Sequence, residues 1–199
     1  GYRIYVETCP HYLYFTDEDV KKYGPWRKCA PPLRSRKIRD KMWEMLRRGN
    51  IDTIGSDHGS APMELRKAGE ENIWNAPNGI PGGIQIMLPM MLNAVSEGKT
   101  SLEMIVKLLC ENPARIYGIY PRKGTLEVGS DADILVVDVD KTEKITAERI
   151  LMKCGWSPYE GMTMKGLPIL TMVRGQIVME DREIVGNPGY GQFIPRISQ

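Results

Sequence analysis

The chain has 199 residues, 42% hydrophobic and 26% charged, the make-up of an ordinary globular protein, which excludes a disordered or fibrous one. Its 27 lysines and arginines nearly cancel 25 aspartates and glutamates, for a formal +2, so no strong field draws it to nucleic acid or an anionic membrane; a small-molecule or protein partner is expected. No apolar run approaches the roughly 20 residues that span a bilayer and no leader pattern opens the chain, so a cytoplasmic location is expected.

The first predicted element is Arg3-Ile4-Tyr5-Val6-Glu7, a β-branched and aromatic run expected to form a buried strand. Because the first residue is not methionine, a segment is expected to be missing upstream. A short helix follows over Asp17 to Tyr23, capped at Thr16. A longer amphipathic helix runs from Ser35 to Arg48, with Ile38, Met42, Met45 and Leu46 on one face and Gly49 as its stop. A second apolar strand, Ile51 to Ser56, leads into a Gly-, Pro- and Asn-rich loop from Asp57 to about Gly83. Loops of that length tend to be lids or binding loops on a rigid scaffold.

Helical spacing resumes over Gln85 to Ser96 and Leu102 to Glu111, the second helix capped by Ser101 and closed by Pro113. Met87, Met90, Met91 and Leu92 recur at helical spacing and read as core. Strand, helix, strand, helix predicts parallel strands with helical crossovers, an α/β layer or barrel segment. After Gly124 the period changes. Thr125-Leu126, Asp133 to Asp138, Ile169 to Arg174 and Gln176 to Glu180 read as short strands, the last two forming a hairpin that turns at Arg174-Gly175. Gly155 to Gly166 reads as an irregular surface loop. The change of period places a boundary near Tyr120-Pro121.

The four cysteines, Cys9, Cys29, Cys110 and Cys154, are scattered without a Cys-x-x-Cys pair, and are expected to be reduced thiols. Cys9 and Cys29 are expected to pack rather than to act as nucleophiles. With only two histidines, His11 and His58, a catalytic metal must rely on carboxylates or on ligands outside the chain. The most informative segment is Thr53 to Gly59, where an apolar strand ends in Asp57. At the carboxyl end of a barrel strand such an acid faces the active-site mouth; a turn-initiating aspartate is the equally open alternative.

Ser56-Asp57-His58 after an apolar strand resembles the last-strand aspartate motif of the cyclic amidohydrolases, the hydantoinases and dihydropyrimidinases, allantoinases and dihydroorotases of the amidohydrolase superfamily. Glu7-Thr8-Cys9-Pro10-His11-Tyr12-Leu13 is similar to their penultimate barrel strand, and Lys28-Cys29-Ala30-Pro31-Pro32-Leu33-Arg34 to their substrate-loop signature. Pro77-Asn78-Gly79-Ile80-Pro81-Gly82 resembles the segment after the aspartate. Asn112 to Gly118 and Lys123 to Asp133 resemble the passage from barrel to C-terminal β domain.

The resemblance implies an α/β fold: the C-terminal part of a TIM-like (β/α)8 barrel over residues 1–120, then part of a small β-sandwich domain with a tail over 121–199. It implies a hydrolase that opens a cyclic amide with a metal-activated water, zinc in a binuclear centre or another divalent metal in the complete protein. Asp57 is then a metal ligand and the proton shuttle, while the backbone near Cys29 and Ala30, and at Asn78, holds the ring. The complete protein is expected to be a homo-oligomer. The family's His-x-His pair, bridging lysine and two single histidines have no counterpart here. The chain is therefore expected to be a fragment with open sheet edges, inactive alone, in which a lone Asp57 holds no catalytic metal tightly. The resemblance puts no metal ligand at His11, which reads as packing or supporting, and strand alternation would turn His58 away from Asp57. The rival reading is a non-catalytic, dihydropyrimidinase-like scaffold. Which ring is the substrate stays open.

Overall fold

The structure, a computed structural model, describes residue 2 and residues 4–196; Arg3 of the first predicted strand lies outside them. The first half alternates short strands and helices: β1 (Glu7–Thr8), α1 (Pro10–Tyr14), α2 (Asp17–Tyr23), α3 (Arg36–Arg47), β2 (Thr53–Ile54), α4 (Met63–Lys67), α5 (Gly83–Ser96), α6 (Leu102–Val106) and α7 (Asn112–Ile116). The strands β1 and β2 pair in parallel, Glu7 with Thr53 and Thr8 with Ile54, as the alternation required. The second half is a four-stranded antiparallel sheet in the order β3 (Ile134–Lys144), β4 (Thr163–Val173), β5 (Gln176–Glu180), β6 (Glu183–Ile184). Among the described residues no helix is long and apolar enough to cross a membrane.

Local chemistry explains several boundaries. Thr16 begins α2 with a reciprocal capping box to Asp19, whose carboxylate accepts from the Thr16 backbone at 2.7 Å. Ser101 caps α6 by accepting from Met104 N. At the β4–β5 hairpin, Arg174 and Gly175 both take positive φ, +45° and +81°, matching the twist of a two-residue turn.

Other expectations fail for tertiary reasons. The regular strand begins only at Glu7, and Ile4 and Val6 are exposed rather than buried, although Val6 O already accepts from Asp52 N at 2.8 Å. Most of the segment read as the penultimate strand is helix: Pro10 occupies the first turn of α1, where its missing N–H is no loss. On α3 the buried residues are Trp43 and Leu46, whereas Ile38 and Met45 are exposed. The face is chosen by α1, since Trp43 Nε1 donates to Leu13 O at 2.7 Å. Pro113 does not end its helix, because α6 passes through a π turn, Lys107–Glu111, into α7, where Pro113 again sits in the first turn. Thr125-Leu126 forms no strand. The stretch from Gly155 to Gly166 is not a surface loop: Trp156, Ser157 and Tyr159 are buried, and β4 already begins at Thr163. The loop from Asp57 to Gly83 contains α4 and a 3-10 turn, Ile73–Asn75.

The core has two clusters, and α5 belongs to both. Ile86 and Met90 pack with Phe15, Ile80, Tyr159, Met164 and Leu167, while Met91, Leu92 and Ala94 pack with Leu13, Trp43, Leu46, Ile54 and Leu108. A helix apolar on most sides suits a position between two layers. Asn93 completes the link to the sheet by accepting from Lys165 N at 3.0 Å.

The start of α5 also supports the end of β2. A Cβ on Gly83 would stand 2.4 Å from the carbonyl oxygen of Ser56, immediately before Asp57. Gly83→Ala is therefore expected to destabilise the chain by about 1–3 kcal/mol through overpacking against backbone that cannot yield. Urea unfolding measures it, and an unchanged midpoint would show that the approach is looser.

Candidate active site

Asp57 stands three residues beyond β2, with φ +43° and a carboxylate 44% exposed. A non-glycine residue in this region is uncommon, and aspartate tolerates it better than most. The regular strand ends at Ile54, so strand alternation does not decide where His58 points. His58 instead forms an isolated parallel bridge with Ile80, and its Nδ1 accepts from Gly82 N at 3.2 Å. Beside it, Gly59 and Gly79 meet backbone to backbone: a Cβ on Gly59 would lie 2.9 Å from Gly79 Cα. These contacts hold exposed Asn78 next to the strand end bearing Asp57.

The second sequence-predicted loop is fixed from α1. Tyr12 Oη donates to Pro31 O at 2.8 Å, and Cys29 Sγ lies 3.3 Å from the same oxygen. Cys29 is buried and Ala30 exposed. The two loops are then joined by a residue that the sequence reading passed over. Arg66, on α4, is fully buried. Its guanidinium donates to Pro25 O and Pro77 O at 2.9 Å, to Lys28 O at 3.3 Å, and to Gly79 O. It also lies 4.9 Å from the centre of the Trp156 ring. Thus one side chain binds the backbone before Cys29 and the backbone on both sides of Asn78. Nothing in the local sequence marks this arginine, which sits in a polar loop 38 positions from Lys28.

Behind Asp57 lies His11, whose Nε2 is 3.5 Å from Asp57 Oδ2 while neither ring nitrogen has a hydrogen-bond partner. The imidazole has no exposed surface. Burial lowers its pKa to about 4, so it is neutral at physiological pH. Cys9 shares this corner: its thiol, the His11 ring and the Asp57 carboxylate each offer an atom within 4.8 Å of the others. Burial, then the negative charge of Asp57, raises the Cys9 pKa to about 12; burial also raises that of Cys29 to about 11. Neither is an activated nucleophile, as expected.

Asp57 thus stands as an exposed acid just beyond a parallel strand, beside loops that Arg66 ties together, and comparison with known proteins gives the chain a family. The amidohydrolase family model matches residues 7–178. The chain belongs to the amidohydrolase family. It is 46% identical over 197 residues to an L-hydantoinase of Paenarthrobacter aurescens, covering 98% of this chain and 43% of that protein. It is 38% identical to an allantoinase of Deinococcus radiodurans, again covering 98% of this chain and 43% of the relative. A solved L-hydantoinase from Arthrobacter aurescens superposes with a TM-score of 0.91 at 46% identity, over 96% of this chain and 43% of that one. The amidohydrolase chain thus spans less than half the length of these relatives. Its fold is part of the family's TIM-barrel architecture, with the antiparallel sheet following the barrel segment.

Proposed function

We propose that the complete protein is a metal-dependent hydrolase that opens a cyclic amide of the hydantoin, dihydropyrimidine, allantoin or dihydroorotate type, and that this chain contributes its proton-shuttling acid and one wall of its ring pocket. The observation that carries the reading is the exposed Asp57 carboxylate at the end of β2, beside the loops that Arg66 ties together. In this reading residues 1–120 are the last strands and helices of the barrel and 121–199 the β-sandwich portion and tail. The whole enzyme is a cytoplasmic homo-oligomer with no nucleic-acid or membrane partner.

Asp57 fits a metal ligand. It is anionic and open to solvent, and among the described residues the one group within ion-pair distance is His11. One carboxylate leaves the other positions to residues elsewhere in the protein, with zinc the favoured ion. A divalent metal held there would supply a Lewis acid and a water that ionises near neutral pH. Asp57 accepts the proton of the attacking water on a carboxylate oxygen and returns it to the ring nitrogen as the C–N bond breaks. Ring amide groups are held by the backbone at Cys29, Ala30 and Asn78, whose loops are rigid before substrate arrives, so little entropy is lost on binding.

The test is a panel of the four ring types offered to the metal-loaded complete protein, followed by ring-opened product. Hydrolysis of at least one is expected. No turnover of any ring by a protein that retains its metal would favour the scaffold reading.

A further inference from the structure

We propose that Cys9, His11 and Asp57 form a three-donor site for a thiophilic divalent cation, zinc or cadmium. The sequence reading counted one donor; the packing of two parallel strands supplies three.

The arrangement follows from register. Thr8 pairs with Ile54, so Cys9 leaves β1 beside the point where the chain leaves β2 towards Asp57. The first turn of α1 then brings His11 beneath both. Its imidazole is fully buried, lacks any hydrogen-bond partner on either nitrogen, and directs Nε2 at the Asp57 carboxylate from 3.5 Å. A buried polar group left unpaired costs about 1–3 kcal/mol, and a ligated cation relieves that.

The dimensions suit a small cation. Bonds of about 2.0–2.3 Å in a tetrahedral site separate the ligand atoms by roughly 3.3–3.8 Å. The three donor atoms lie within 4.8 Å of one another, and Asp57, being exposed, is free to close the difference. One sulfur, one imidazole nitrogen and one carboxylate select zinc or cadmium over magnesium or calcium, which require oxygen. Solvent beside Asp57 provides both the entrance and a fourth ligand. Binding exchanges the Cys9 S–H bond for an S–metal bond and releases one proton to solvent, with no change of oxidation state, so affinity rises with pH.

The experiment uses this chain carrying Cys110→Ser and Cys154→Ser, which removes the exposed and half-exposed thiols. Cadmium is titrated in and the ultraviolet thiolate-to-cadmium charge-transfer band recorded, with zinc, magnesium and calcium as competitors. One equivalent is expected to bind, zinc to displace it, and magnesium and calcium to leave it. Cys9→Ser should abolish the band. His11→Gln and Asp57→Asn should keep the band but weaken binding by about tenfold or more. Should His11→Gln not fold, as circular dichroism would reveal, Asp57→Asn alone decides, because that side chain is exposed. Absence of a band, its survival in Cys9→Ser, or unchanged affinity in Asp57→Asn would overturn the proposal.

Discussion

Replacing Asp57 with asparagine in the complete protein is expected to lower kcat by about 10²- to 10⁴-fold, the range associated with losing a positioned general acid–base, with loss of a ligand charge added to it. The fold should survive. The carboxylate is 44% exposed, and its one ion-pair-distance neighbour among the described residues is the neutral His11 imidazole, at 3.5 Å without a hydrogen bond. The amide is isosteric and keeps one oxygen towards the imidazole, so denaturation midpoints of parent and variant should agree while turnover separates. A variant turning over normally would remove Asp57 from the chemistry and leave it a turn residue. A variant that unfolds would give it a structural role that its exposure does not suggest.

Arg66→Met should act in the opposite way, through stability. The methionine retains much of the apolar stem but none of the donors, leaving the carbonyls of Pro25, Lys28, Pro77 and Gly79 without this partner in a buried setting. Hydrogen bonds to a charged donor contribute about 1.5–3 kcal/mol each, and the surviving acceptors keep their desolvation penalty, so a loss of about 3 kcal/mol or more is expected in urea unfolding of this chain. Arg66→Lys should recover part of it, because an ammonium keeps the charge but not the planar fork that reaches several carbonyls and lies against Trp156. A change below about 0.5 kcal/mol, the range of an ordinary surface substitution, would mean that the loops hold their shape unaided.

The helices α2 and α5 and the β4–β5 hairpin were legible because each depends on residues a few positions apart, and the parallel pairing of β1 with β2 followed from the alternation of such local elements. A capping pair at Thr16 and Asp19, apolar spacing through Met90 and Met91, and the Arg174-Gly175 turn act locally, whatever packs against them. The same locality made Asp57 stand out: an acid closing an apolar run is a short-range feature, and the resemblance around it suggested its role. Burial was less legible. Helical periodicity over Arg36–Arg47 permitted two faces, and Trp43 was drawn inward by a carbonyl of α1, thirty positions away. Gly155 to Gly166 has the composition of a loop, yet Trp156 Nε1 donates to Ala61 O at 3.0 Å and Tyr159 stacks on Phe15.

By itself, then, the sequence determined the type and order of the main elements, the family and the acid at the end of β2, all properties of short stretches of chain. Tertiary structure alone decided that Arg66 joins the loop before Cys29 to the loop around Asn78 and that Cys9 and His11 share a corner with Asp57. These groupings unite residues from 11 to 48 positions apart, through backbone carbonyls and buried rings whose partners are set by packing rather than by neighbours in sequence.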